Sequence, residues 1–342
     1  MSDEMSAGQE PIDWTLSDDW ERWVTESALE GATARELIDE LVSEGITPTL
    51  ATREVTRTLG SVAFKMARAW RREALRLRQS NALNFAVNMR NRPPEVERRE
   101  GVSPDELRRR YLSGSQPVIL TDVARDWPAL TRWTDEGLKE RVGHLPITFS
   151  QGTADNPRTN QDVKLFQTDG RFGEFIDRVA SAGRSNELYL IGNHNVLSNE
   201  GMEVLFEDLS PKVETYLEGG IVRKKSSLWF GPAGTHTSLH YDPLSVLYAQ
   251  IRGVKRFRLI SPLSRTLLLN VMDSNYFEMD WERLPKELEG QVYELELRPG
   301  EVLFLPTCWW HDVYALSPSV SLGFLNIKGE HHHPWYRPGL IR

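Results

Sequence analysis

His240 and Asp242 stand two residues apart in the run Thr237-Ser238-Leu239-His240-Tyr241-Asp242-Pro243. In an extended strand such residues project from one face, so an imidazole and a carboxylate here can reach a common point. That pair suits Fe(II), Zn(II) or Mn(II), and a second histidine would complete a facial set with coordination positions left open. His311 can supply it. It follows the turn Pro299-Gly300-Glu301, the apolar run Val302-Leu303-Phe304-Leu305 and the aromatic pair Trp309-Trp310. A lone His-x-Asp more often marks a surface turn, and a lone histidine is as often packed in a core. The two together, each beside an expected strand, favour metal. Open positions would let a chelating co-substrate and dioxygen meet on one ion.

A lysine follows on the next strand. In Gly253-Val254-Lys255-Arg256-Phe257-Arg258-Leu259, alternation puts Lys255 with Phe257 and Leu259 on one face and both arginines on the other. A lysine sharing a face with core residues is placed to hold a carboxylate by a charge-assisted hydrogen bond. A solvated lysine would share the arginines' face instead. The other histidines carry weaker signals. His236 shares the parity of His240 and is a candidate to support it. His144 and His194 have no partner nearby in sequence, and His331-His332-His333 precedes Pro334 in a polar stretch with no flanking strand.

Short elements must position these groups. From about Ser226 onward, β-rich runs at 227–230, 245–251, 255–260, 291–297, 301–305 and 319–327 alternate with Gly/Pro turns, the texture of a barrel or sandwich. Upstream, a helix over 103–111 leads into a strand at 117–120. Residues before 93 read as helices. Ser17-Asp18 precedes Trp20, Trp23, Val24 and Ala28, and Thr33 and Glu36 have capping-box spacing ahead of Leu37, Ile38, Leu41 and Val42. Thr47-Pro48 opens a third helix ending near Gly60. A fourth, over 61–80, carries Val62, Met66, Ala69 and Leu77 among arginines. Asn91-Arg92-Pro93-Pro94 then breaks helix, so the expected division is a helical domain over 1–92 and a β-rich domain over 93–342.

Composition sets limits. A chain of 342 residues with 39% hydrophobic content and 11 Trp can build a substantial core. A formal charge of −8 argues against a nucleic-acid partner. The charge is uneven: the first 60 residues hold 14 acidic and 4 basic side chains, whereas 61–92 hold 8 basic and 1 acidic. The basic stretch is expected to form one helical face, solvated or paired with the acidic helices. No run approaches the roughly 18 apolar residues needed to cross a bilayer, and residues 1–13 lack a signal-peptide pattern, so no membrane partner is expected. Cys308 is the only cysteine, which fits a reducing, cytoplasmic location and leaves metal binding to histidines and carboxylates.

From about residue 105 to 330 the chain resembles the JmjC-type, cupin-like oxygenases that depend on Fe(II) and 2-oxoglutarate, especially the protein hydroxylase branch that includes factor inhibiting HIF. The matching pieces are Pro117-Val118-Ile119-Leu120 with Asp126-Trp127-Pro128-Ala129-Leu130, then His240-Tyr241-Asp242, the Gly253–Leu259 run, and Leu305-Pro306 through Trp310-His311. They occur in family order and at family spacing. The resemblance implies a mainly β fold with α, a double-stranded β-helix (jelly-roll or cupin) barrel, and does not cover the N-terminal helical domain. It implies iron ligation by His240, Asp242 and His311. Lys255 would bind the distal carboxylate of 2-oxoglutarate, helped by Thr237 and Tyr189, with the Asn326 amide near the co-substrate. Thr237 is out of phase with His240 in a regular strand, so its role requires an irregular approach to the ligand. Asn326, in an apolar strand, needs hydrogen-bond partners. Val246 departs from the pattern, since many relatives carry a second asparagine there. This bears on the polar lining around the co-substrate and not on the metal.

The implied chemistry couples consumption of 2-oxoglutarate and O2, with release of succinate and CO2, to hydroxylation of a carbon. An amino-acid side chain in a peptide or protein is the first expected target, and a free amino acid or other small metabolite the second. A cupin-like binding module without catalysis is disfavoured by the complete set His240, Asp242, His311 and Lys255. Histone-type demethylation is not expected, because no zinc cluster or basic tail accompanies the barrel. The helical domain favours a macromolecular substrate or a homodimer.

Overall fold

Ser17 caps α1 (Asp18–Glu30) by accepting from the Trp20 N–H. Thr33 and Glu36 form the expected capping box at the start of α2 (Ala34–Ser43), the carboxylate accepting from the Thr33 N–H at 2.7 Å. Pro48 opens α3 (Pro48–Gly60), although Thr47 makes no side-chain cap bond. In the computed structural model, which describes residues 15–73, 95–153, 163–262, 264 and 276–329, the chain divides into two compact units, Met1–Arg90 and Asn91–Arg342.

In the first unit Val24, Ala28, Leu37, Leu41, Ala51 and Val55 bury against one another and against Phe64 from a helical run over 62–73. Trp20, Trp23 and Leu59 pack around them. Helices this short are marginal alone and take their stability from such a shared core. Arg57 pairs with Glu54 and Glu21. Of the two outcomes expected for the basic stretch, solvated or paired with the acidic helices, the first is seen for its described part: Lys65, Arg68, Arg71 and Arg72 are exposed and form no ion pair among the described residues. Leu77, Pro93-Pro94 and His331-His332-His333 lie outside the described residues.

The second unit contains β1 (Glu97–Arg99), β2 (Val118–Leu120), β3 (Pro146–Gln151), β4 (Gln167–Arg171), β5 (Leu188–Tyr189), β6 (Ser226–Gly231), β7 (His236–His240), β8 (Val246–Arg252), β9 (Lys255–Ile260), β10 (Val292–Leu297), β11 (Val302–Leu305), β12 (Trp310–Ala315) and β13 (Ser319–Phe324). Six form a sheet in the order β1-β2-β11-β8-β13-β6, four a sheet in the order β10-β9-β12-β7, and β4-β3-β5 a small third sheet. The two larger sheets pack face to face as a double-stranded β-helix. Ile119, Val246, Tyr248, Leu303 and Leu305 of one share a core with Phe257, Leu259, Tyr293, Leu295 and Val313 of the other. The opposite face of the six-stranded sheet, including Phe230 and Phe324, packs on Phe172 and Phe175 of the helix Phe172–Ser181 and on Trp127.

The segment expected as a helix over 103–111 is a single α turn, Pro104–Glu106, followed by a π-helical stretch, Leu107–Leu112. The small sheet, the helix Phe172–Ser181 and β12 itself were not anticipated from sequence. In β12 the polar pair His311-Asp312 interrupts the apolar signal. Gly253 makes the β8–β9 hairpin at φ +70, where a Cβ would lie 2.1 Å from the Pro318 carbonyl oxygen. Only glycine fits both the angle and the space, and this turn fixes Lys255 as the first residue of β9. No helix among the described residues is long and apolar enough to cross a membrane.

Candidate metal centre

Strand register determines which side chains share the inner face of the four-stranded sheet. Lys255, Phe257 and Leu259 of β9 sit opposite Ala315, Val313 and His311 of β12, so all six project inward while Arg256 and Arg258 project outward. Across to β7, His311 faces His240 but Val313 faces Thr237. Two steps along β12 are therefore matched by three along β7, which is a β-bulge. Because His311 and Val313 share a face, His240 and Thr237 share it too. The bulge is the irregular approach that Thr237 requires. It also turns His236 outward, opposite Tyr314, where its Nε2 donates to Asp312 at 2.7 Å. The parity expected for His236 therefore fails.

Ligand atoms of His240, Asp242 and His311 all lie within 4.8 Å of one another. The Nδ1 of His240 contacts the Ser238 carbonyl at 2.8 Å, and that of His311 the Trp309 carbonyl at 2.9 Å. A carbonyl can only accept, so each Nδ1 carries the hydrogen and each Nε2 lone pair is left for a metal. Burial, reinforced by neighbouring His240, pushes the His311 imidazole down to about 4, so it is neutral and ready to ligate near neutral pH. Asp242 lies just beyond the end of β7 at His240, outside any strand. Its carboxylate is 43% exposed and 3.7 Å from His311 Nε2. Its carbonyl accepts from the Cys308 N–H at 2.8 Å, and Cys308 adopts a left-handed φ of +61 in the turn entering β12. Two neutral imidazoles and one carboxylate on one side of a partly open site fit an Fe(II)-type ion with positions to spare.

The outer edge of β7 is occupied. Tyr276 bridges to His240 and stacks on its ring at 5.1 Å and 12°, and the Phe277 N–H donates to the Leu239 carbonyl at 2.8 Å. The His236 N–H donates to Asn186 Oδ1 at 2.9 Å. Trp281 Nε1 donates to the buried Asp312 at 3.2 Å, beside His311 in the chain.

Lys255 is fully buried, and its Nζ donates to Tyr248 Oη at 2.8 Å and Tyr189 Oη at 3.4 Å. Among the described residues no carboxylate pairs with it. Burial pushes its ammonium down to about 7. Burial also pushes the Tyr189 phenol up to about 12, against hydrogen bonds with Thr237 and Thr235. The Tyr248 phenol rises well above its ordinary value for the same reason. The structure thus brings Lys255, Tyr189 and Thr237 together. It does not join Asn326 to them: that amide donates to the Glu218 and Gly220 carbonyls at 2.7 and 2.8 Å, with its Oδ1 buried and unpartnered. Val246 is buried on the Tyr248 face of β8, opposite Leu305. His194 accepts from the Ile191 N–H and bonds Ser150, bracing a loop, and His144 is exposed. Tyr248, the nearest partner of Lys255, was missed from sequence. Its signal was the two-residue spacing from Val246, which puts both on one face.

Residues 104–325 match the family described as "Cupin-like domain". The chain is 30% identical over 239 residues to "Lysine-specific demethylase JMJ30" of Arabidopsis thaliana, covering 67% of this chain and 54% of that protein. It is 29% identical over 245 residues to "Jumonji C domain-containing protein 5" of Drosophila melanogaster, covering 67% and 59%. It is 26% identical over 264 residues to "HSPB1-associated protein 1" of Rattus norvegicus, covering 69% and 54%. The chain therefore spans little more than half the length of these relatives.

Proposed function

The chain belongs to the cupin-like domain family, and from that premise we propose that it is an Fe(II)- and 2-oxoglutarate-dependent oxygenase that hydroxylates an amino-acid side chain in a peptide or protein. The observation that carries this reading is Lys255. A buried cation is costly unless an anion or strong acceptors compensate it, and its phenolic partners supply acceptors without charge. It lies on the same inner face as His240 and His311. A dicarboxylate reaching from Lys255 to the metal site supplies the missing anion.

Iron held by His240, Asp242 and His311 would supply the O2 chemistry needed to remove hydrogen from an unactivated carbon. The chain's own residues do the positioning. Lys255, Tyr189 and Thr237 hold the distal carboxylate, which aims the other end of the co-substrate at the ligand set. Phe257, Leu259 and Val313 give that path apolar walls that exclude water. The Ser238 and Trp309 carbonyls fix the imidazole tautomers, and Tyr276 sets the plane of the His240 ring. The choice of side-chain hydroxylation follows the resemblance to the protein hydroxylase branch that includes factor inhibiting HIF.

The name of the Arabidopsis thaliana relative, a lysine-specific demethylase, favours a second reading on the same site, removal of a methyl group from lysine through hydroxylation of the methyl carbon. A small-metabolite substrate would use the same residues. The test is incubation with Fe(II), 2-oxoglutarate and a peptide extract, followed by mass spectrometry. A gain of one oxygen atom supports side-chain hydroxylation, and loss of a methylene supports demethylation. With 2-oxoglutarate held near the Kd of the unaltered protein, Lys255→Met should strongly reduce either product. No succinate above the Lys255→Met background, with any substrate pool, would sink the oxygenase reading.

A further inference from the structure

The helical unit carries a surface that its own core does not explain. The run 62–73 buries Phe64, yet Val62, Met66 and Trp70 are 76%, 55% and 50% exposed. At about 100° per residue these three form one continuous stripe along the helix. Lys65, Arg68, Arg71 and Arg72 lie together on the neighbouring arc, none of them ion-paired among the described residues. Scattered exposed apolar side chains are ordinary, but a stripe beside a one-sided cationic flank marks a contact surface.

The complement is in the same unit. Asp18, Asp19 and Glu26 of α1 and Asp39 and Glu40 of α2 are exposed. Their ion-pair partners are distant and exposed, Arg22 at 4.0 Å from Asp19 and Arg35 at 3.8 Å from Asp39. We propose that this surface is a self-association site whose occupant is a second copy of the chain. The apolar stripes face each other across a twofold axis, and each cationic flank reaches the acidic face of α1 and α2 in the other copy. A chain carrying both patches suits a twofold contact, because each patch is used once in each direction. An anionic membrane or a nucleic acid would attract the cations but be repelled by the first 60 residues, with 14 acidic against 4 basic side chains.

The test is sedimentation of the full-length protein. The unaltered chain should have the mass of two copies at low salt and shift toward one as salt screens the contact. Met66→Glu with Trp70→Glu should give the single-chain mass with an unchanged far-ultraviolet circular dichroism spectrum. Arg68→Glu with Arg72→Glu, and separately Asp39→Lys with Glu40→Lys, should each dissociate the pair. Mixing those two charge-reversed proteins should restore a two-chain species. The proposal is overturned if the unaltered protein is a single chain at every salt concentration, including the case where it sediments with anionic vesicles. It is equally overturned if the stripe variant keeps the two-chain mass, or if the mixture stays dissociated.

Discussion

If Lys255 holds the distal carboxylate as proposed, the affinity for 2-oxoglutarate should depend on pH. Its ammonium titrates at about 7 in the ligand-free protein because it is fully buried with only phenols for company. A bound carboxylate favours the charged form, so above that value each binding event must also take up a proton. With the free value at about 7 and the bound value above the range tested, affinity should fall about 25-fold between roughly pH 6.5 and 8.5, or about 1.9 kcal/mol. Titration calorimetry on the Mn(II)-loaded protein, in buffers of different ionisation enthalpy, measures both the affinity and the proton uptake. Near pH 8.5 the uptake should approach one proton. Lys255→Arg, permanently charged, should flatten the profile. Lys255→Met should weaken binding by about 1.5–3 kcal/mol, the range for hydrogen bonds to charged groups. A flat profile without proton uptake, together with unchanged affinity in Lys255→Met, would refute the assignment. The same titration has a stability consequence of known sign. The folded value is lowered, so between about 7 and 10.5 the unfolded chain binds more protons and ligand-free stability rises with pH.

Other outcomes follow from the same geometry. His240→Ala with Asp242→Ala should abolish metal retention by elemental analysis, since one remaining ligand cannot hold the ion, and full occupancy would end the metal reading. Tyr248→Phe removes the nearest acceptor from Lys255 and should weaken 2-oxoglutarate binding by about 0.5–1.5 kcal/mol in calorimetry while metal content stays unchanged. Gly253→Ala places a Cβ against the Pro318 carbonyl at a left-handed φ and should lower stability by about 1–3 kcal/mol or more in denaturant melts. An unchanged midpoint would mean the hairpin can turn another way.

Much of the site was legible because its chemistry is local. His240, Asp242 and His311 could be read from residue type and neighbouring strands, and Lys255 from its parity with Phe257 and Leu259. The N-terminal helices were readable from Thr33 and Glu36 and from Pro48, where capping rules act over a few residues. What could not be read depends on register between strands. The bulge in β7 decides whether Thr237 or His236 faces inward, and it exists only in the pairing with β12. Tyr248 reaches Lys255 from the opposite sheet, and Asn326 finds its partners in a loop far back in the chain, so neither relation is written in nearby sequence. In the sheet formed by β3, β4 and β5, β4 is polar with no buried residue, β5 is only two residues long and β3 alternates just Ile147 and Phe149, so none carries a strand signal long enough to read.

The covered edge of β7 restricts how a peptide could be recognised. Proteins that bind extended peptides often do so by letting them add as one more strand, with main-chain hydrogen bonds supplying affinity whatever the sequence. Here the Asn186 side chain holds the His236 N–H, Phe277 holds the Leu239 carbonyl, and the His240 ring itself holds the Ser238 carbonyl. Among the described residues, these contacts leave a peptide approaching the metal centre no access to those backbone groups of β7. A peptide substrate would have to be held there by contacts other than pairing along the covered part of β7, and selectivity would then rest on residue identity around the modified position. The same contacts deny another chain pairing sites at those groups of the metal-bearing strand in the folded protein.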